Sequence, residues 1–429
     1  MSSVEYTESE NGIESEENQR KSSQESMDRT RVVPRITIQA FCEIEETAEA
    51  ISNASADRRL AKSHVTVQMG GARAANSFYQ SAPTPNLIIV ESQAERDAML
   101  SDLDKLAESC DAGTKVLVIG MVNDVVLYRS LMQRGVSEYM VAPLEPFQVI
   151  ESIANLYADP DAEPVGEVVA FVGAKGGSGS STICHNTAWA MSKITDTDVV
   201  ITDFDLAFGT AGLDFDQDPV QGIADALSAP ERLDEVLLDR LLTKCSENLS
   251  LFAAPSTLDH VYDLSEKQCS TVIDVMRSNL PYAFVDIPHM WTGWSRQMLI
   301  HADDIIITAT PDLASLRNTK NLVDLIGKER TNDSPPHIVL NQVNIPKRPE
   351  ISVADFNKSL DRDVDYVIDF NPQLFGTAAN NGQMILEFEP KAKASEQFND
   401  LASKIAGISD QNVESGSAFA KLLGKLNRK

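Results

Sequence analysis

At 429 residues, 42% of them hydrophobic, the chain is long enough for two ordinary domains, each with its own core. A net charge of −27 repels a phosphate backbone and argues against nucleic acid as a partner. Cys42, Cys110, Cys184, Cys245 and Cys269 are scattered without a CxxC pair, which argues against a disulfide framework or structural zinc. No apolar run reaches about eighteen residues and no basic-then-apolar leader opens the chain, so a cytoplasmic protein is expected.

Residues 1–34 are rich in Ser, Glu, Asn and Gln and poor in apolar residues, the composition of a disordered acidic tail. From 35 to 157 strand-like and helix-like runs alternate. Strands are expected at 36–42, 64–69, 86–90, 115–120 and 138–141, with helices between them such as 45–55 and 124–134. Leu87-Ile88-Ile89-Val90 and Val116-Leu117-Val118-Ile119 are continuously apolar, as strands covered on both faces must be. The alternation predicts a parallel sheet with helices on both sides. This spacing, together with Gly135-Val136-Ser137-Glu138-Tyr139-Met140-Val141-Ala142-Pro143-Leu144, resembles a response-regulator receiver domain. Three positions depart from that pattern: Glu91 stands for the phosphoacceptor aspartate, Ala142 for the lysine and Met121 for the hydroxyl residue. The resemblance therefore implies a degenerate receiver used for protein contact; an unrelated α/β domain is the alternative.

A linker, 158–164, leads into a second domain at 165–407. Its first expected strand, 167–172, runs into Gly173-Ala174-Lys175-Gly176-Gly177-Ser178-Gly179-Ser180-Ser181-Thr182, and a helical pattern follows over 183–191. Strand, glycine-rich loop and helix is what a phosphate cradle requires: glycines admit the phosphates, and helix N-terminal amides face negative charge. The loop resembles the Lys-Gly-Gly-x-Gly-Lys-Thr-Thr signature of the ParA/MinD family of deviant P-loop ATPases. The resemblance implies that Gly176, Gly177, Ser178, Gly179, Ser180, Ser181 and Thr182 bind nucleotide. It makes Lys175 the signature lysine that crosses a dimer interface and Ser181 a Mg²⁺ ligand. Ser180 stands where the family carries its phosphate-binding lysine, so a cation is missing from the β/γ-phosphates and fast hydrolysis is not expected.

Further along, Val199-Val200-Ile201-Thr202-Asp203-Phe204-Asp205 resembles switch I, and Asp205 is expected near the attacking water and the metal. Ala283-Phe284-Val285-Asp286-Ile287-Pro288 resembles the Walker B strand, with Asp286 in the Mg²⁺ shell; Met290 replaces a glycine frequent in the family. Thr310–Arg317 is also similar to a family segment. Asn341 ends a strand where the family reads adenine, and Phe370-Asn371-Pro372 with 377–382 resembles the segment lining the base. Paired acids and strand-ending asparagines are ordinary turn formers when taken singly. Here they recur in family order at strand ends, the edge where open α/β sheets bind ligands. The fold class implied is α/β, with two doubly wound domains: a receiver-like (flavodoxin-like) domain, then a P-loop NTPase.

A degenerate receiver preceding such a domain is similar to the CpaE/TadZ family of tight-adherence (Flp) pilus assembly. That resemblance implies ATP and Mg²⁺ as cofactors, a homodimer, pilus assembly and secretion proteins as partners, and a place at the cell pole. The expected function is a nucleotide-switched localisation scaffold with slow or absent hydrolysis. The alternative is an active ATPase that positions a cargo or a septum-type complex. After a linker at 408–416, residues 417–429 put Phe419, Leu422, Leu423 and Leu426 on one helical face beside Lys421, Lys425, Arg428 and Lys429. Three readings stay open for that segment: peripheral contact with the inner membrane, docking on its own domain, or insertion into a partner's groove.

Overall fold

The computed structural model describes residues 33–111, 113–157 and 166–408. The expectations for residues 1–32 of the tail, for most of the two linkers and for 417–429 fall outside the described residues; Val33, within the expected tail, is instead fully buried, and its amide donates to the Arg59 carbonyl at 2.8 Å. The chain divides into two compact units, each treated separately below.

In the first unit, β1 (Thr37–Cys42), β2 (His64–Met69), β3 (Leu87–Glu91), β4 (Lys115–Gly120) and β5 (Glu138–Val141) form a parallel sheet in the order β2-β1-β3-β4-β5. Helices α1 (Glu45–Ser55), α2 (Gly71–Phe78), α3 (Arg96–Ser109), α4 (Val125–Gln133) and α5 (Pro146–Tyr157) alternate with the strands. Alternate strand residues serve opposite faces. Ile38, Leu87, Ile89 and Leu117 meet Ile51 of α1 and Ile150 of α5, whereas Phe41, Ile88, Val90 and Val118 meet Met99, Leu103 and Leu131. This is the flavodoxin-like order, with its switch point between β1 and β3.

Glu91 ends β3 beside that switch point and is fully buried. Its carboxylate accepts hydrogen bonds from the Glu43 amide (2.6 Å), the Ile44 amide (2.9 Å) and the Thr47 hydroxyl (2.7 Å). The Glu91 side chain thus ties down the connection that leads into α1 and the first turn's Thr47. The residue at the phosphoacceptor position is committed to its own backbone. Glu91→Ala strands these donors in the interior and is expected to cost about 3 kcal/mol. Hydrogen exchange checks this: β3 amides should lose protection, and unchanged protection would remove Glu91 from the unit's support.

Arg330–Asp333 also belongs to this unit. Asp333 accepts from Arg58 Nε (2.8 Å), from Arg330 Nε (2.7 Å) and from Arg59. Arg59 also pairs with Asp57 at 3.0 Å, and all of these side chains are buried. Although burial alone would raise the Asp333 carboxyl, the charges of Arg58, Arg330 and Arg59 hold it at about 2.

The second unit holds β6 (Glu167–Gly173), β7 (Val199–Asp203), β8 (Thr243–Ser246), β9 (Leu249–Phe252), β10 (Tyr282–Ile287), β11 (Asp304–Ala309), β12 (His337–Val343) and β13 (Tyr366–Asp369). The sheet order is β13-β12-β11-β6-β10-β7-β9-β8, and all pairs are parallel except β8 with β9. Along β6, Val168, Ala170 and Val172 enter one core while Val169 and Phe171 enter the other. The second of these cores contains α6 (Ser180–Ile194) and α9 (Lys393–Ile405), through Ile183, Met191, Phe398 and Leu401; α8 (Pro372–Asn380) adds Leu374. Helix α7 (Leu313–Glu329) follows β11. The α/β class with two doubly wound parallel sheets is the one the sequence leads one to expect. Register then fixes the site's neighbours: Asp286 pairs with Asp203, and Thr308 pairs with Gly173.

Candidate nucleotide-binding site

The loop between β6 and α6 turns through two glycines with positive φ, Gly177 (78°) and Gly179 (91°). A Cβ on Gly179 would also lie 2.5 Å from Asn341 Nδ2, so a side chain there is excluded on two grounds. Above Gly176 and Gly177 the space is open, with no atom within 4 Å of an added Cβ. Below, the loop is tied down: the Ala174 amide donates to the Thr308 carbonyl at 2.8 Å, and Asn318 Nδ2 donates to the Ala174 carbonyl at 2.8 Å. Helix α6 begins at Ser180, and its first amides lack intrahelical acceptors. The Ser180 hydroxyl oxygen is buried and makes no hydrogen bond.

Lys175 does not project freely. Its Nζ donates to Asp312 Oδ2 at 2.7 Å, and Asp312 accepts in addition from the Thr310 hydroxyl (2.7 Å) and the Ser315 amide (3.0 Å). Despite a desolvation effect in the opposite direction, Lys175, Thr310 and Ser315 hold the Asp312 carboxyl at about 2. Both partners of the pair are more than a third exposed.

Asp286 and Asp203, side by side on adjacent strands, are both buried. Burial and the Asp286 carboxylate push Asp203 up to about 7, against the lowering effect of His185 and of the Ala211 and Asp205 amides. His185, on α6, places Nδ1 at 2.8 Å from Asp214 Oδ2 and Nε2 at 3.6 Å from Asp286 Oδ2. Burial alone would lower the imidazole, but Asp214 and Asp286 outweigh it and push His185 up to about 10. Asp205 lies just beyond the strand, where its Oδ1 accepts from the Phe208 amide at 3.1 Å.

On the other side of the loop, a cleft of about 220 Å³ is lined by Gly179, Thr182, Asn186, Asn341, Phe370 and Pro372, among others. That volume is below the usual range for a whole drug-sized ligand and suits one ring system. Asn341 Nδ2 donates to the Ser178 carbonyl (2.9 Å), and Gln342 Nε2 donates to the Gly177 carbonyl (3.0 Å). Asn341 thus secures the phosphate loop from the cleft wall. Gln342 holds this position with a left-handed φ of 55°, at the register shift between Leu340 and Val343. Asn371 lines the cleft while its Oδ1 caps α8 through the Leu374 amide at 3.1 Å.

These features fit Mg-nucleotide. The open surface over Gly176 and Gly177 and the α6 amides supply room and donors for phosphates. Ser181, Asp205 and Asp286 are the residues that would hold Mg²⁺, which prefers oxygen ligands and phosphate company. When bound, that ion would neutralise phosphate charge. Among the described residues no cluster of three or more His, Cys, Asp or Glu side chains forms a protein-only metal cage.

Sequence reasoning passed over His185, Asp214, Asp312, Asn186 and Gln342. Only two carried a signal: His185 is the one imidazole in the helical run that follows the glycine-rich loop, and Asp312 follows a strand in Thr-Pro-Asp.

No protein-family model matches the chain. It is similar to a solved structure of the pilus assembly protein CpaE from Caulobacter crescentus, with 51% identity over 30% of this chain and 98% of that one, TM-score 0.30. It is also similar to a ParA family ATPase from Chlorobium tepidum, at 30% identity over 55% of this chain and 98% of that one, TM-score 0.50. The septum site-determining protein MinD of Helicobacter pylori is 23% identical over 259 residues, 58% of this chain and 93% of its own length.

Proposed function

Because the chain belongs to the ParA/MinD family, as a CpaE-type member, we propose that it acts as an ATP-switched scaffold in pilus assembly. In this reading ATP with Mg²⁺ joins two copies, and hydrolysis is slow or absent. The observation that carries it is the phosphate loop, where a buried hydroxyl at Ser180 replaces a cation while Lys175 is retained and held by Asp312. Binding needs donors and room, which the loop supplies. Rapid phosphoryl transfer needs charge at the phosphates, which Ser180 cannot give.

Several exposed apolar residues flank the site residues in sequence: Phe208 near Asp205, Leu213 beside Asp214, Met290 and Trp291 after Asp286, and Leu313 beside Asp312. Each is more than half exposed, the character of surface that a partner covers. A second copy is the partner proposed here, with pilus assembly and secretion proteins on the scaffold's other surfaces and the cytoplasmic side of the inner membrane, at a pole, as its place.

Light scattering with phosphate release in the same sample tests this. The parent chain should double in mass with Mg-ATP and release little phosphate, and Lys175→Ala should stay monomeric. A Lys175→Ala chain that dimerises like the parent would falsify the trans role of Lys175. Asp312→Asn should shift dimerisation to lower ATP, by no more than about fivefold, since a half-exposed ion pair contributes under about 1 kcal/mol. The intact Lys175, Asp205 and Asp286 support a second reading, a working ATPase that positions a cargo. Steady phosphate release above the Lys175→Ala control would favour it.

A further inference from the structure

Nucleotide binding gives Asp286 a role but leaves its buried neighbour without one. His185 is fully buried in α6, with its ring 5.8 Å from that of Phe215. Packing could be met there by an apolar residue. Instead the imidazole is anchored at Nδ1 by Asp214 at 2.8 Å, and that anchor fixes where Nε2 points. Nε2 makes no hydrogen bond, and the atom it faces is Asp286 Oδ2, at 3.6 Å. A closing of roughly half an ångström would complete that bond. A buried polar atom left just short of its partner marks a contact that tightens when the partner moves.

We infer that His185 is a positioning residue for the metal site: anchored by Asp214, it orients the Asp286 carboxylate and links it to the segment that ends at Asp214. This rests on the reading of Asp286 as a Mg²⁺ residue. Groups that orient metal-holding carboxylates commonly affect metal affinity by about 10–100-fold. Asp214 closes the 211–214 helical turn, which also carries the exposed Leu213, so the same link runs from the metal site to the surface.

The test is an equilibrium titration of the full chain with a fluorescent ATP analogue, in excess Mg²⁺ and in chelator. The quantity read is the ratio of the two affinities. His185→Asn, too short to reach Asp286, should lower this ratio about tenfold or more. His185→Gln, which restores a donor near the Nε2 position, should recover most of it. Asp214→Asn removes the anchoring charge at a partly exposed position, and so reports even if a change at His185 impairs folding. A parent-like ratio in both His185→Asn and Asp214→Asn overturns the inference. So does an equal loss of affinity with and without Mg²⁺, the signature of a merely structural residue. A parent chain that binds no nucleotide at all overturns the site reading itself, and the inference with it.

Discussion

Ser180→Lys is expected to raise ATP turnover by about two orders of magnitude or more. The estimate follows from what a single preorganised donor contributes to a charged transition state, about 10²–10³ in rate. Position 180 is the first residue of α6, at the end of the glycine-rich loop. The buried Ser180 hydroxyl forms no hydrogen bond, so its removal breaks none. Lys175, Asp205 and Asp286, proposed for the other parts of a phosphoryl-transfer site, are all present. Phosphate release at saturating Mg-ATP is the measurement. Unchanged turnover would mean that a second part limits the rate, and Met290 is the first suspect. Its carbonyl accepts from Ser295 Oγ at 2.8 Å, which restrains the segment after Asp286.

The largest stability effect is expected at Asp333. Asp333→Ala should cost the first unit about 3–5 kcal/mol, because Arg58, Arg59 and Arg330 lose the carboxylate they share in a buried setting. Arg59 keeps Asp57, which makes the lower end of that range the safer expectation. The same cluster sets an acid dependence. The folded carboxyl, at about 2, lies below its unfolded value near 4, so its contribution is fully present above roughly pH 4. It is lost as pH falls from there through about 2, and amounts to roughly 2–3 kcal/mol. Hydrogen exchange on α1 and β1 amides reads the mutation. A variant that unfolds with the parent's acid profile would show that Asp333 is not the linked group.

Much of this architecture was legible: at β3 and over most of β4, burial on both faces leaves a continuous apolar run. Strands 64–69, 115–120 and 138–141 coincide with β2, β4 and β5 because they read as compact strand-like runs between turn-forming residues. At β1 and β3 the expected bounds differ from the observed ones by a residue. The phosphate loop was legible for a different reason: positive φ at Gly177 and Gly179 demands glycine, and demand of that kind is written in single letters. What could not be read is which side chain meets which. Lys175 and Asp312 are 137 residues apart, and the chain between them carries no pattern that pairs them. His185 fits the helical spacing of α6 as well as any core residue would. The three donors to Glu91 come from the β1–α1 connection and from Thr47, which no spacing rule links to β3.

That commitment of Glu91 bears on how many signals the molecule can receive. A two-state element needs two arrangements close in free energy, and a ligand or modification that favours one of them. In the first unit the position that would take the modification is a buried Glu91, matched by three donors. Such a unit rests in one arrangement, equivalent to a receiver whose message was written in permanently. On the proposed function, a signal would then enter this molecule at the nucleotide site and not at Glu91.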